Sequence, residues 1–334
     1  STIYLYRPSS QFILLGTLIY FTFLIIIKEN RNNEALMAAA YIAGAEVFFR
    51  QTDGMVFYET GKYMVIVFLV IGMFFKGTSS RTVPFWTYLL ILIPGIVVAS
   101  ITMSYQAEFR NQIAFNLSGP VTLGISALYC YYKKISKEDF QRVIMMMLLP
   151  LLAQMFFLYL YTPSMTDVRI NLQANYAATG GYGPNQIATV MGMGAFLVAT
   201  RLFTIKHKLL NIIDLVLLGM IAYRALITFS RGGVFTAVVC VLAFIIIYYY
   251  KQGPKEQVRL NSKIILLGIA TIGIWFFSLI QTGGLLSNRY SNQDAAGRLK
   301  EDITTGRVEL VTTELQAFIH HPVIGIGVGK GKEY

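Results

Sequence analysis

LITFSRGGVF, residues 226–235, lies between two apolar runs at 209–229 and 232–250. Read through without a break, 209–250 would be about twice the roughly 20 residues that a bilayer-crossing helix needs. Arg231 and the two glycines divide it, so the stretch predicts two spans joined by a tight turn. A guanidinium in the middle of a bilayer is costly, whereas at a span end it can snorkel to the interface. Two readings of Arg231 stay open at this point. It is a helix-end anchor, or it faces an anion at the start of the second span. In the second reading Ser230, Gly232 and Gly233 offer backbone N–H groups at a helix N-terminus, where anions are favoured. A guanidinium there would grip a phosphate with two parallel hydrogen bonds.

The rest of the chain repeats the pattern of long apolar blocks. Of 334 residues, 55% are hydrophobic and only 13% charged, about half the charge of a soluble domain. Blocks long enough to span recur at about 11–27, 35–49, 62–75, 85–101, 113–132, 143–161, 185–202, 209–229, 232–250 and 263–281. The fold class expected is an all-α polytopic membrane protein of about ten transmembrane helices, with the second and third the shortest. Two domains are expected: a helical bundle over 1–281, then the start of a large loop over 282–334. The two cysteines, Cys130 and Cys240, lie inside apolar runs and offer neither a disulfide framework nor a metal spacing. The chain starts at Ser1, so residues are expected before it.

Charge orders the loops. KENRNNE, KGTSSR, KKISKEDFQR, RLFTIKHK and KQGPKEQVRLNSK follow spans one, three, five, seven and nine and are rich in Lys and Arg. The loops between are nearly balanced. Lys and Arg concentrate in cytoplasmic loops, which puts the first set inside and SRGG on the outer face. The net charge of +11 is therefore a topological signal, and nucleic acid is not an expected partner. The lipid bilayer is.

Four other features carry chemistry. Arg224 precedes Arg231 by seven residues, two helical turns, and sits within its span, where a charge usually faces a cavity. Glu46 and Arg50 are spaced to pair with each other on one helix. GGYGPNQIATVMGMGAF, 180–196, reads as a helix entrance with Asn185 near its cap, and the loop before it carries Arg169. In TTGRVELVTTELQAFIHHPVIGIGVGKG, 304–331, Arg307 opens an amphipathic stretch whose apolar positions include Val308, Leu310, Val311, Leu315 and Phe318. Its glycines fit neither phosphate-loop spacing, because Lys330 and Lys332 stand where glycine is required. The adjacent His320 and His321 point apart in any regular element, so no metal site is expected, and no cofactor.

Three of these motifs, in order, carry a family resemblance. GPNQIA, TFSRGG and TGRVELVTTELQAFIHHPVIGIGVG together resemble the O-antigen ligase and polymerase superfamily of bacterial envelope enzymes, over roughly 180–331. The resemblance implies a glycosyltransferase C-like helical fold in the bacterial inner membrane, with its active site on the periplasmic face. It implies transfer of a glycan from undecaprenyl diphosphate to an acceptor glycan (polymerases) or to lipid A-core (ligases), with inversion and without a metal. The family's two diphosphate-binding arginines match Arg231 and Arg307; Ser230 and Gly232 belong to the same turn, and Arg224 and Arg169 are further candidates. One departure stands out: Val308 to Val311 replace the family's tryptophan after Gly-Arg. The histidine that ligases use as general base lies further along the loop, so the expected base is beyond Tyr334, and His321 matches only the His-Pro motif. Protein partners are not legible. Two rivals stay open, a polysaccharide flippase or other transporter and a non-catalytic membrane subunit of a larger assembly.

Overall fold

In a computed structural model of the chain, residues 2–102, 109–163, 176–293, 297–299 and 306–330 are described. Ten long helices succeed one another: α1 Thr2–Ile27, α2 Glu34–Gln51, α3 Thr60–Lys76, α4 Val83–Thr102, α5 Phe109–Cys130, α6 Lys137–Tyr161, α7 Pro184–Thr204, α8 Lys208–Ile227, α9 Arg231–Tyr250 and α10 Pro254–Gln281. Two shorter helices follow, α11 Leu285–Tyr290 and α12 Arg307–His320. No strand occurs among the described residues beyond one isolated bridge between Gln293 and Leu299. The chain is thus an all-α polytopic membrane protein. Eight of the helices are long and apolar enough to cross a bilayer. The other two are α2, which carries Glu34, Glu46 and Arg50, and α3, which has 17 residues.

Helix boundaries depart from the hydropathy blocks where polar residues continue a helix. α10 begins at Pro254, nine residues before its apolar part at 263, because a proline at its first turn starts a run of good helix formers, KEQVRLNSK. Lys206 Nζ meets Glu256 Oε1 at 2.7 Å there, and Lys263 Nζ donates to the Ile205 carbonyl at 3.0 Å. α6 likewise starts early, where Ser136 Oγ accepts from the Asp139 amide at 3.0 Å.

The chain divides into two compact units. Unit 1 comprises 1–147 with 302–334. Its core sets Leu14, Phe21 and Ile25 of α1 against Ala35, Ala38, Ile42 and Phe49 of α2 and Phe68 and Leu69 of α3. The α2–α3 seam is lined by small residues, and a Cβ added at Gly72 would lie 2.5 Å from that of Ala35. Helices meeting in lipid gain little from burying apolar surface and depend on such close approach. Asn30 locks the end of the seam: its Nδ2 donates to Gly72 O at 3.1 Å and to Tyr129 Oη at 3.0 Å, while its Oδ1 accepts from the Ala35 amide at 3.0 Å.

Unit 2 comprises 148–301 and is organised around α7, which packs on both α8 and α9. Most of α7 is buried, whereas α9 is almost wholly exposed. The two touch backbone to backbone. A Cβ at Gly233 would lie 2.5 Å from the Ala188 carbonyl carbon, and one at Gly192 2.6 Å from Gly233 O. Tyr159 Oη ties α6 to α8 by donating to Met220 O at 3.0 Å.

Candidate functional site

The turn after α8 is short. Thr228 Oγ1 donates to Ala225 O at 2.7 Å and accepts from the Ser230 amide at 3.1 Å, closing it after three residues. The left-handed position is Phe229, at φ 57°, and not a glycine. Such a backbone costs a bulky residue about 1–3 kcal/mol. Complete burial of the ring, in a cluster with Ala178, Leu226, Ile227 and Leu286, holds it there. Ser230 then caps α9 in an extended conformation, and its Oγ donates to Asn185 Oδ1 at 2.8 Å. The two family-like motifs, GPNQ and SRGG, therefore meet through one hydrogen bond within unit 2.

Several roles differ from those expected. The Ser230 amide is bonded to Thr228, and its hydroxyl serves the α7 contact. Gly233 is buried and lets α7 approach, while Gly232 is exposed in the first turn of α9. Asn185, expected near the cap of its helix, is the second residue of α7, behind Gly183 as cap and Pro184. Arg224 and Arg231 do not share a helix face, because α8 ends at Ile227 and the turn at 228–230 breaks the register. Arg224 instead points into unit 2, with Nη1 on Thr162 Oγ1 at 2.8 Å and its guanidinium 4.0 Å from the Tyr159 ring. It is 6% exposed, and its Nε has no hydrogen-bond partner among the described residues. Arg169 lies outside the described residues.

Arg231 is the first residue of α9, and its neighbour was not anticipated. Gly283 and Gly284, at φ 57° and 83°, turn the chain after α10 so that α11 brings Arg289 and Tyr290 to the SRGG turn. Arg289 Nε donates to Phe229 O at 3.0 Å. Burial, and then the nearby charge of Arg231, pull the Arg289 guanidinium below its ordinary range, though arginine remains cationic. Burial pushes the Tyr290 phenol up to about 12, against the opposite pull of Arg231 and Arg289. That hydroxyl is buried without a hydrogen-bond partner among the described residues, and its ring packs edge-on against Trp275 at 5.2 Å. Two adjacent guanidiniums, an orphan phenol hydroxyl and the first-turn amides of α9 form a set of donors suited to an anion. Only SNRYSNQ, an arginine and a tyrosine just past the last span, signalled Arg289 in the sequence.

Arg307 begins α12 in unit 1, exposed, after Gly306 at φ 76°. The amphipathic stretch forms a helix as expected, and its apolar positions Val308, Leu310, Val311, Leu315 and Phe318 are exposed. The glycine-rich stretch after it docks on α4 and α5. The Val328 amide donates to Gly95 O at 3.1 Å, and a Cβ at Gly327 would lie 3.0 Å from Ala99 N. His320 ends α12 and His321 follows it. No group of three or more His, Cys, Asp or Glu residues able to hold a metal is found among the described residues.

A membrane-spanning helical protein with clustered cations at a helix end is the class these observations define. Residues 215–334, from within α8 to the end of the sequence, match the family described as O-antigen ligase. This domain holds Arg231, Arg289 and Arg307, and its match supports the resemblance to the O-antigen ligase and polymerase superfamily. The matched domain supports a function of the O-antigen ligase type in general. Comparison with curated proteins and with solved structures returns no match.

Proposed function

We propose that the protein transfers a glycan from undecaprenyl diphosphate to a second glycan or to lipid A-core, at the periplasmic face of a bacterial inner membrane. The observation that carries this is the placement of Arg231 and Arg289 together at the start of α9, beside a Tyr290 hydroxyl that has no hydrogen-bond partner among the described residues. Breaking the bond between sugar and diphosphate leaves charge on the diphosphate. Donors fixed in advance where that charge develops lower the barrier. Arg231 and Arg289 supply the charge; Tyr290 and the amides of the first turn of α9, Gly232 included, supply neutral donors. Ser230 holds the turn against α7. Arg307, matched to the family's second arginine, is a further proposed diphosphate contact on the strength of the resemblance alone. Arg224 anchors the helices from inside, and Arg169 stays a candidate contact from the loop ahead of α7.

The lipid tail has a matching surface in unit 2. A groove of about 550 Å³ is lined almost wholly by apolar groups, among them Val216, Gly219, Tyr223, Gly273 and Phe277. Tyr223, together with Ile274 of the same groove, also packs on the cluster beneath the SRGG turn. An apolar prenyl chain in the groove would thus bring its diphosphate toward the cations. A sugar hydroxyl attacks the anomeric carbon from the face opposite the diphosphate, which inverts the centre, and the arginines do the electrostatic work without a metal. The attacking hydroxyl needs a base within hydrogen-bond reach.

The test is transfer by purified protein from undecaprenyl-diphosphate-linked glycan, with Arg231→Ala and Arg307→Ala made singly. Each substitution is expected to abolish most transfer, and full transfer in both would remove the diphosphate role. Product length distinguishes the acceptors: a ladder of repeats marks a polymerase, a single addition to lipid A-core a ligase.

A further inference from the structure

Unit 1 contains a second, larger cavity that takes no part in the chemistry above. Its volume is about 830 Å³, within the range of small-molecule sites. The loop between α2 and α3 lines one wall with Phe57, Tyr58 and Glu59, while the start of α5 lines another with Asn111, Phe115 and Asn116. By the alternation of loop charges, both walls lie at the helix ends away from the Lys- and Arg-rich loops. Gly329, from the family-like glycine segment, closes a third side. A Cβ there would stand 3.1 Å from Asn116 Nδ2.

The rings are arranged, not scattered. Tyr58 and Phe115 face each other with centroids 5.7 Å apart, and Phe57 pairs with Tyr63 at 5.6 Å. Each is about half exposed or less, so each ring retains an accessible face. The Phe57 backbone is pinned by Thr60 Oγ1, which accepts from the Phe57 amide at 3.0 Å and donates to its carbonyl at 2.7 Å. Cations sit against the rings: the Arg50 guanidinium lies 4.1 Å from the Tyr58 centroid and Lys62 Nζ 5.6 Å from that of Phe115. Both are committed elsewhere, Arg50 to Glu46 and to Tyr58 O, and Lys62 to Ser118 Oγ at 3.0 Å. Among the described residues that line the cavity, Glu59 is the one acidic or basic side chain.

This set selects among ligands. A cationic ligand competes with Arg50 and Lys62 for the same ring faces. An anionic one meets Glu59, while the cations described beside the rings, Arg50 and Lys62, are already bonded. An interfacial aromatic belt accounts for the rings, but not for Asn111, Gln112 and Asn116 on a membrane-spanning helix, where polar groups facing lipid are costly. A neutral polyhydroxylated molecule suits all of it. Pyranose rings present flat C–H faces that stack on aromatic side chains, while their hydroxyls need paired donors and acceptors, which amides and a carboxylate provide. The volume exceeds what one sugar ring fills.

We propose that the cavity between the α2–α3 loop and the start of α5 is a binding site for a neutral oligosaccharide, separate from the diphosphate site. That this oligosaccharide is a substrate glycan rests on the transfer reaction proposed above; that the cavity binds saccharide does not.

The test is binding by the full chain in detergent, measured by equilibrium dialysis. The probe is tritiated oligosaccharide freed by mild acid from the undecaprenyl-linked glycans of the source cell. Saturable binding is expected, weakened about tenfold in Phe115→Ala, the equivalent of about 1.4 kcal/mol, and severalfold in Asn111→Ala. Asn111 is exposed, so its variant keeps the test valid if Phe115→Ala fails to fold. Arg231→Ala is expected to lose transfer yet bind the free glycan normally. No binding by the wild-type chain, or equal binding by both cavity variants, would overturn the site. Binding that depends on Phe115 and Asn111 in a protein without transfer activity would support the site and overturn the transferase reading instead.

Discussion

The SRGG turn of unit 2 and the aromatic cavity of unit 1 surround their cations with different neighbours. At the turn, Arg231 and Arg289 lie close enough for one charge to pull down the other, and a buried phenol hydroxyl beside them stays unbonded among the described residues. In the cavity each cation is tied to a neighbour: Arg50 to Glu46, and Lys62 to Ser118. Adjacent like charges are unfavourable until an anion offsets them, which is why the proposed function puts the diphosphate there. Paired cations packed on rings shape a surface without attracting charge. Binding cations and structural cations can therefore be told apart by what each substitution disturbs.

The largest effect expected is on transfer. Arg231→Ala should reduce it about 10²–10³-fold, the scale of removing one preorganised donor from a developing anion, while the melting temperature hardly moves. Arg289→Ala should cost less, about 10–10²-fold on the same scale, with some loss of stability because its bond to Phe229 O goes too. If Arg289→Ala lowers stability alone, the pairing at the turn is structural and the contrast fails. Arg50→Gln should show the reverse pattern. It strands Glu46 in a half-buried position and should destabilise by about 1–3 kcal/mol, with the Glu46→Gln, Arg50→Gln double variant recovering part of that loss. Gly233→Ala belongs to the same group. The added methyl has backbone on the facing helix within 2.6 Å, so overpacking of about 1–3 kcal/mol should appear as a lowered melting temperature.

What the sequence made legible follows from which forces are local. The ten long helices were legible because a bilayer demands length and apolarity, both properties of contiguous residues. The early start of α10 was not, since KEQVRLNSK is helical by propensity and by its contacts to Lys206 and Ile205, neither of which hydropathy sees. Arg231 and its turn stood out because a charge interrupted an apolar run. The role of Gly233 was misread, because its need for space comes from Ala188, 45 residues earlier in the chain. Arg289 escaped for a similar reason: it reaches Phe229 across 60 residues, after a fold-back at Gly283 and Gly284. The i, i+7 relation of Arg224 and Arg231 failed because it assumed a helix that continues, and the turn at 228–230 ends it. The cavity of unit 1 had no motif beyond the glycine segment that supplies Gly329. Its rings and amides are ordinary residues, brought together by loops and helices some fifty positions apart.

The smallest effect expected sharpens the contrast between guanidinium and ammonium on a ring. Lys133, in the loop after α5, packs its Nζ 3.6 Å from the Tyr129 centroid, much as Arg50 packs on Tyr58. Burial first, and then repulsion from Lys76, lower Lys133 to about 8. Its proton is therefore lost in the folded protein well before it would be lost in the unfolded chain, which keeps the ordinary lysine value near 10.5. Between those two values the unfolded state binds more protons, so stability rises with pH through that window. Below about 8 the folded state carries an unfavourable buried charge throughout. Arg50 cannot lose its proton in this range, so the charge on the Tyr58 ring is constant while that on Tyr129 titrates. Amine labelling followed by mass spectrometry should show the reactivity of Lys133 rising with a midpoint near pH 8, and Lys76→Gln should move that midpoint up. A midpoint that stays at the ordinary lysine value in wild-type protein would mean that Lys133 is hydrated, and that packing a cation on a ring does not by itself bury it.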